Sequence, residues 1–116
     1  MGVKSSNRRQ QDQVLQMIVE RIVKVADPEK VILFGSRAHG SPTEESDYDF
    51  FVLKSGVPNR LHLAQQIYLN LLDLPADASV DVIVETPETA FRHQENQAYI
   101  YREALKGRTV YERRPS

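Results

Sequence analysis

The chain has 116 residues, of which 41% are hydrophobic, and this is enough for one domain with a buried core. Its fifteen lysines and arginines and sixteen acidic residues give a net charge of −1, which argues against a protein built to coat nucleic acid. The absence of cysteine excludes disulfides and thiolate metal sites, and no apolar run approaches the roughly 20 residues of a membrane span. We therefore expect a cytoplasmic protein without a membrane anchor or a signal peptide.

Basic residues concentrate near the two ends of the chain, and acidic residues concentrate in its middle. We interpret the basic ends as solvated and expect no direct binding of nucleic acid. Residues 1–9 are expected to form a flexible tail, residues 10–112 the domain and residues 113–116 a second tail. The residues concerned are Lys4, Arg8, Arg9, Lys106, Arg108, Arg113 and Arg114 at the ends, and Glu44, Glu45, Asp47 and Asp49 in the middle.

An amphipathic helix and two strands are predicted in the first half of the chain. Apolar residues recur at helical spacing from Gln10 to Ala26, where Asp27-Pro28 ends the pattern. The continuous apolar run Val31–Phe34 is typical of a central strand that is covered on both faces. Tyr48–Leu53 is predicted as a second strand, after a polar loop that contains Gly40-Ser41-Pro42.

The second half of the chain predicts helices that alternate with short strands. Together with the first half, this order favours an α/β (α+β) fold, a mixed sheet with helices packed on it. The predicted elements are a helix from Leu61 to Leu72 closed by Pro75, a strand Val80–Val84, a helix that starts at Thr86-Pro87-Glu88, a helix from Ala98 to Leu105 before Gly107, and a short strand Thr109–Tyr111.

Gly35-Ser36 follows the first strand directly and is a candidate phosphate-binding turn. Glycine lets the backbone turn sharply, and the N–H groups that open the next helical turn form an anion site. Ser36 would add a hydroxyl donor and Arg37 a guanidinium, so both are candidate nucleotide-binding residues. Two ordinary roles stay open, since Ser36 also fits a helix cap and Arg37 a solvated side chain.

Three aspartates are the candidate metal ligands. Asp47 and Asp49 are two residues apart at the head of a strand, so their side chains project from the same face. Asp81 lies near the start of another strand and can complete the set. Carboxylates held close together need a proton or a cation, and hard oxygen ligands suit Mg²⁺ bound jointly with phosphates. Singly, each residue also fits a turn cap, a surface charge or a strand start; together they favour an active site.

These residues resemble a known family. The runs Gly35-Ser36-Arg37-Ala38-His39-Gly40 and Ser46-Asp47-Tyr48-Asp49, with the later Asp81, are similar to the DNA polymerase β-like nucleotidyltransferase superfamily, and most to its minimal nucleotidyltransferase branch. The resemblance implies a polymerase β-like core in which Gly35-Ser36 binds the triphosphate of ATP or another NTP. It also implies that the three aspartates are catalytic and bind one or two Mg²⁺ ions. His39 stands where many relatives carry arginine.

The resemblance further implies a reaction and a partner. Small members of the branch commonly act as antitoxins that adenylylate a tyrosine of a HEPN-domain ribonuclease toxin. We therefore expect an NMP transferase that forms a hetero-oligomer with a HEPN-domain toxin. Two alternatives stay open, namely an antitoxin that binds nucleotide and inhibits its partner by contact alone, and a small-molecule adenylyltransferase. The second is disfavoured because larger transferases of the superfamily bind the acceptor with an added domain, for which 116 residues leave no room.

Three further residues are assigned ordinary roles. Glu85 shares the face of Asp81 if the strand runs that far, but we expect it to lie beyond the site. Tyr101 is expected to pack in the core, and Arg60 to be a solvated loop charge.

Overall fold

The computed structural model describes residues 2–38, 47–74, 79–95 and 99–114. The side chains of residues 2–12, Ser36, Tyr99 and Ile100 are not described. Several predicted features therefore lie outside the described residues, namely His39, the Gly40-Ser41-Pro42 loop, Ser46, Pro75 and Ala98. Among the helices that the structure describes, none combines the length and apolar character needed to cross a membrane.

The predicted elements occur in the predicted order. A short 3₁₀ turn, Gly35–Arg37, follows the first strand. The helices and strands are α1 (Gly2–Ala26), β1 (Lys30–Phe34), β2 (Tyr48–Leu53), α2 (Arg60–Leu69), β3 (Val80–Glu85), α3 (Pro87–Arg92), α4 (Tyr99–Leu105) and β4 (Arg108–Glu112).

Helix α1 begins at Gly2, whereas apolar periodicity predicted a start at Gln10. Residues 2–9 contain no proline, and a helix that is already formed extends by one hydrogen bond for each added residue. An apolar face is therefore not required for the backbone to continue. The domain boundaries at residues 10 and 112 stay a prediction.

The four strands form one mixed sheet in the order β3-β2-β1-β4. Strand β1 pairs antiparallel with β2 and with β4, and β2 pairs parallel with β3. The predicted central position of β1 and the predicted adjacency of the first three strands are confirmed. The register sets Phe34 of β1 beside Asp49 of β2, and Asp49 beside Asp81 of β3.

Helices cover both faces of the sheet. Alternate residues of the strands, including Phe50, pack with Ile18 and Ile22 of α1 and with α2 on one face. The intervening residues, including Phe51, pack with Ala90 of α3 and Ala104 of α4 on the other face. Burial of each fully covered phenylalanine stabilises the fold by about 1.5–3 kcal/mol. Asp49 and Asp81 belong to the second set and lie at its end, where the packed core stops.

The chain end that follows β4 is held against the rest of the domain. Because β4 runs antiparallel to β1, the residue after Glu112 lies next to those that precede Lys30. Arg113 pairs there with Asp27 at 2.9 Å and with Glu29 at 3.5 Å. Arg113 is exposed, as we expected of the basic chain end, and it also makes these two ion pairs.

Candidate active site

The turn after β1 requires glycine for two reasons. Gly35 has φ +79°, a conformation that side chains with a Cβ adopt at a cost. A Cβ on Gly35 would also lie 2.5 Å from Oδ2 of Asp49, which is far closer than carbon and oxygen approach without a bond. The sharp turn thus lets the backbone of Gly35 pass directly beside the Asp49 carboxylate.

Arg37 ends the 3₁₀ turn and contacts an aromatic ring. Its guanidinium carbon lies 3.9 Å from the centroid of the Tyr48 ring, within the range of a cation–π interaction. Tyr48 is buried and faces the α1 and α2 side of the sheet, opposite to Asp49. Contact of Arg37 with phosphate stays a prediction, as do the nucleotide-binding roles of Gly35 and Ser36.

The three candidate metal ligands converge at the end of the sheet. One carboxylate oxygen from each of Asp47, Asp49 and Asp81 lies within 4.8 Å of the other two. Asp49 and Asp81 are in register on parallel strands, and Asp47 precedes β2 by one residue. Asp49 is half-buried, whereas Asp47 and Asp81 are exposed. We call these three side chains the carboxylate cluster; their predicted convergence is confirmed.

Repulsion between the three neighbouring carboxylates favours the binding of a cation. Burial raises the pKa of Asp49, and the nearby carboxylates of Asp81 and Asp47 raise it further. At neutral pH a divalent cation would offset this repulsion, and carboxylate oxygens are ligands that Mg²⁺ prefers. The residues present therefore fit a Mg²⁺ site that is open to solvent on the side of Asp47 and Asp81. Their roles as ligands and in catalysis stay predictions.

A fourth carboxylate on the same face lies outside the cluster, as expected. Glu85 is 1% exposed and ends β3 four residues after Asp81. Its Oε1 accepts a hydrogen bond from Arg60 at 2.5 Å and another from the hydroxyl of Tyr101. Its Oε2 accepts from the backbone N–H of Thr86 at 3.0 Å. Glu85 is thus a satisfied buried ion that joins α2, β3 and α4.

Two of these partners test the assignments of ordinary roles. Tyr101 packs against Phe51 with ring centroids 5.4 Å apart, so its predicted core role is confirmed. Arg60 was predicted to be a solvated loop charge, and this is wrong because it is the first residue of α2 and pairs with Glu85. The sequence carries no local signal for this pair, because a carboxylate needs a cation or hydrogen-bond donors only where the fold buries it, as it does Glu85.

Comparison with known proteins identifies the class. Residues 16–115 match the family model described as polymerase beta, nucleotidyltransferase. The chain therefore belongs to the polymerase β nucleotidyltransferase family, and the fold class predicted from the sequence is confirmed. Family members typically use Mg²⁺ and a nucleoside triphosphate, which agrees with the donor set of the carboxylate cluster.

Among solved structures, the fold is similar to the crystal structure of a toxin–antitoxin, MntA–HpeT, in a mutant form in which two aspartates are replaced by glutamate. The TM-score is 0.51 and the sequence identity 18%, over 83% of this chain and 72% of that chain. Likeness at this identity concerns the fold. No curated protein sequence matches the chain significantly.

Proposed function

We propose that this chain is a cytoplasmic antitoxin that transfers AMP from ATP to a tyrosine hydroxyl of a HEPN-domain ribonuclease toxin. The observation that carries the proposal is the carboxylate cluster beside the Gly35 turn. Membership of the nucleotidyltransferase family supports the class of reaction. The fold shared with a toxin–antitoxin structure supports the antitoxin role.

The mutant form of that structure adds a second line of support. Its two replaced aspartates are two residues apart in sequence, which is the spacing of Asp47 and Asp49. Asp→Glu replacement keeps the charge of a metal ligand and lengthens its reach, so it is a substitution that probes a metal site. We infer a metal-binding role for Asp47 and Asp49 in this chain.

Asp47, Asp49 and Asp81 would hold Mg²⁺, one or two ions, through the carboxylate oxygens that converge at the start of β2 and β3. Bound Mg²⁺ supplies positive charge that stabilises the triphosphate and lowers the pKa of an acceptor hydroxyl. The backbone N–H groups at Gly35 and Ser36 would bind the triphosphate next to the cluster, because the strand ends there in a helical turn.

The transfer step forms one phosphorus–oxygen bond and breaks another. The acceptor tyrosine oxygen attacks the α-phosphorus of ATP, the bond from that phosphorus to the β-bridging oxygen breaks, and pyrophosphate leaves. The hydroxyl proton passes to Asp81. We assign this role to Asp81 because its side chain is exposed and because β3 is an edge strand of the sheet, where an acceptor can approach.

The test is a transfer assay with each of the four α-³²P-labelled NTPs, Mg²⁺ and the purified product of the adjacent gene. We expect label on that protein, most with ATP, and none with the Asp49→Asn variant. The matched control is Asp73→Asn, since Asp73 is an exposed aspartate that pairs with Arg21 outside the cluster. Label that appears equally with wild type and Asp49→Asn would contradict the proposal, and so would the absence of label from the wild-type reaction.

A further inference from the structure

The side chain of Tyr68 in α2 binds the outer edge of β3. Its hydroxyl oxygen accepts a hydrogen bond from the backbone N–H of Val82 at 2.8 Å, and the hydroxyl donates to the carbonyl oxygen of Val82 at 3.5 Å. The first bond has an ordinary length, whereas the second is longer and weaker. A hydroxyl can fill both roles because it carries one donor and two acceptor lone pairs. One side chain thus binds both backbone groups of Val82.

The backbone groups of Val82 point away from the rest of the sheet. β3 is an edge strand, and successive residues of a strand direct their N–H and C=O groups to opposite edges. The N–H of Tyr48 in β2 donates to the carbonyl oxygen of Ser79 at 2.8 Å, so residues 79, 81 and 83 direct their backbone groups to β2. The backbone of β3 is therefore held from the side of β2 at Asp81 and from the outer side by Tyr68 at the next residue.

Tyr68 lies on a part of α2 that is fixed to the sheet. Ile67, which precedes it, and Leu71, three residues later, are both buried and belong with Val82 to the core on the α1 and α2 face. Because this core is closely packed, α2 cannot move away from β3 without opening it. The Tyr68 hydroxyl is therefore held in place relative to the edge of β3.

The contact reaches Asp81 through the backbone, although α2 and the Asp81 side chain lie on opposite faces of the sheet. The N–H of Val82 belongs to the same planar peptide unit as the carbonyl group of Asp81. Tyr68 thus binds the outer side of this peptide, and its inner side faces β2. A rotation or shift of the peptide would move the Asp81 backbone, and with it the carboxylate, relative to Asp49, which is its partner in register.

The position of Asp81 is sensitive to such a movement. Asp81 is exposed and is the second residue of an edge strand, and strand ends open more readily than strand centres. Asp49, in contrast, lies on a strand with neighbours on both sides. Residues that orient metal ligands matter for metal affinity and activity nearly as much as the ligands themselves.

We propose that Tyr68 is a positioning residue for Asp81: by binding the peptide that follows Asp81, it keeps this carboxylate close enough to Asp49 for both to bind the same metal ion. The proposal rests on the proposed function for the metal and for the acceptor proton. It adds to that function a residue that lies outside the carboxylate cluster and contacts neither substrate nor metal.

The test compares Tyr68→Phe with Tyr101→Phe, each of which removes one hydroxyl and keeps the ring. Tyr101 is the matched control because its hydroxyl donates to Glu85, at the other end of β3 from Asp81. Affinity of the chain alone is measured for Mn²⁺, a paramagnetic ion that takes the same oxygen ligands as Mg²⁺. We expect Tyr68→Phe to bind Mn²⁺ about tenfold more weakly than wild type, and Tyr101→Phe to bind it as wild type does.

Two further measurements separate positioning from a merely structural role. Hydrogen exchange followed by NMR should be faster at the amide of Val82 in Tyr68→Phe, because this N–H loses its acceptor. In the transfer assay, kcat of Tyr68→Phe should fall about tenfold while KM for ATP stays near that of wild type, because the triphosphate is assigned to the Gly35 turn. Tyr101→Phe should keep the kcat of wild type.

Equal Mn²⁺ affinity of wild type and Tyr68→Phe would overturn the proposal, even if the variant melts at a lower temperature, because the hydroxyl would then serve stability alone. Equal weakening in Tyr68→Phe and Tyr101→Phe would overturn it too, since the cause would be a general loosening of the fold. Self-association of Tyr68→Phe in sedimentation, with Mn²⁺ affinity unchanged, would assign the hydroxyl to shielding the β3 edge from other strands and would also overturn it.

Failure of this proposal can be told apart from failure of the proposed function. A wild-type chain that binds no Mn²⁺ would overturn the positioning role together with the metal site. A chain whose variants show the expected Mn²⁺ affinities, but which transfers no label to the product of the adjacent gene, would support the positioning role and contradict the proposed transfer.

Discussion

Gly35 and Asp49 occupy adjoining space at the end of the sheet, so that a Cβ on Gly35 would lie 2.5 Å from Oδ2 of Asp49. Asp49 is fixed between Phe34 and Asp81 by the register of three strands. A side chain at position 35 therefore has to displace either its own turn or the Asp49 carboxylate. The geometry of the cluster depends in this way on the absence of one methyl group.

Gly35→Ala is expected to abolish Mg²⁺-ATP binding and transfer, because it moves the Asp49 carboxylate away from Asp47 and Asp81. The control is Gly56→Ala, since Gly56 has φ +68° and nothing within 4 Å of an added Cβ. Both variants should lose roughly 1–2 kcal/mol of stability from the left-handed backbone. Calorimetric titration with Mg²⁺-ATP separates them, and equal affinities in the two variants would contradict the steric role of Gly35.

Asp49→Asn is expected to raise stability at neutral pH in the absence of metal. Burial and two neighbouring carboxylates raise the folded-state pKa of Asp49 above its unfolded value. Its stabilising contribution is therefore full below the unfolded pKa and is lost as pH rises through the folded pKa. At pH 7 the asparagine variant should melt at a higher temperature than wild type in EDTA, and this advantage should shrink towards about pH 3.5.

Asp73→Asn is the control, because the pKa of Asp73 is shifted in the opposite direction to that of Asp49. Hydrogen bonds from Arg21 lower the pKa of Asp73, so its contribution is present above the unfolded pKa and is lost as pH falls through the folded pKa. This variant should gain no stability at pH 7. Melting curves of both variants at the two pH values check the pair, and a gain at neutral pH in both would point to a general charge effect instead of the cluster.

The carboxylate cluster was predictable from local pattern. Side chains alternate along a strand, so the positions of Asp47 and Asp49 alone place both on one face. Asp81 was added because it lies near the start of a neighbouring predicted strand, and the parallel register of β2 and β3 sets it beside Asp49. The element order followed in the same way from apolar periodicity and from the turn residues between the elements.

Contacts between distant residues were not predictable in this way. Alternation placed Glu85 on the face of Asp81, but its burial depends on how α4 crosses the sheet. The pairing of Arg60 with Glu85, 25 residues apart, follows from that packing and has no local signal. The contact of Arg37 with the ring of Tyr48 was not predictable either. A guanidinium can bind phosphate, water or an aromatic ring, and the sequence does not show which of these Arg37 contacts.

Arg60→Ala is expected to destabilise the fold by about 1–2 kcal/mol, because it leaves the buried Glu85 carboxylate without its cation. This value lies in the lower half of the usual cost of leaving a buried group without its partner, because Arg60 is itself half-exposed. Glu85→Gln in the same chain should restore part of the loss by removing the uncompensated charge. Arg92→Ala, at an exposed arginine of α3, is the control and should change stability by less than about 0.5 kcal/mol.

Urea denaturation measures these differences, and transfer activity of the folded variants should stay near that of wild type. The reason is distance, since Glu85 lies four residues along β3 from Asp81, or about 13 Å. A double variant less stable than Arg60→Ala would contradict the role of Glu85 as a buried charge that needs this partner.

The last prediction separates covalent modification from binding as the cause of toxin inhibition. AMP on a tyrosine replaces a neutral hydroxyl with a bulky phosphodiester that carries one negative charge. In a ribonuclease active site this group would repel the phosphates of RNA and obstruct their binding.

The HEPN-domain protein should therefore gain the mass of AMP and lose ribonuclease activity when it is co-expressed with the wild-type chain. With Asp47→Asn it should stay unmodified and active, because this substitution removes one of the proposed metal ligands. Intact-mass spectrometry and a fluorogenic RNA substrate measure the two properties on the same purified sample, and Asp73→Asn should behave as wild type. An unmodified partner that both chains inhibit equally would show that contact alone is the mechanism.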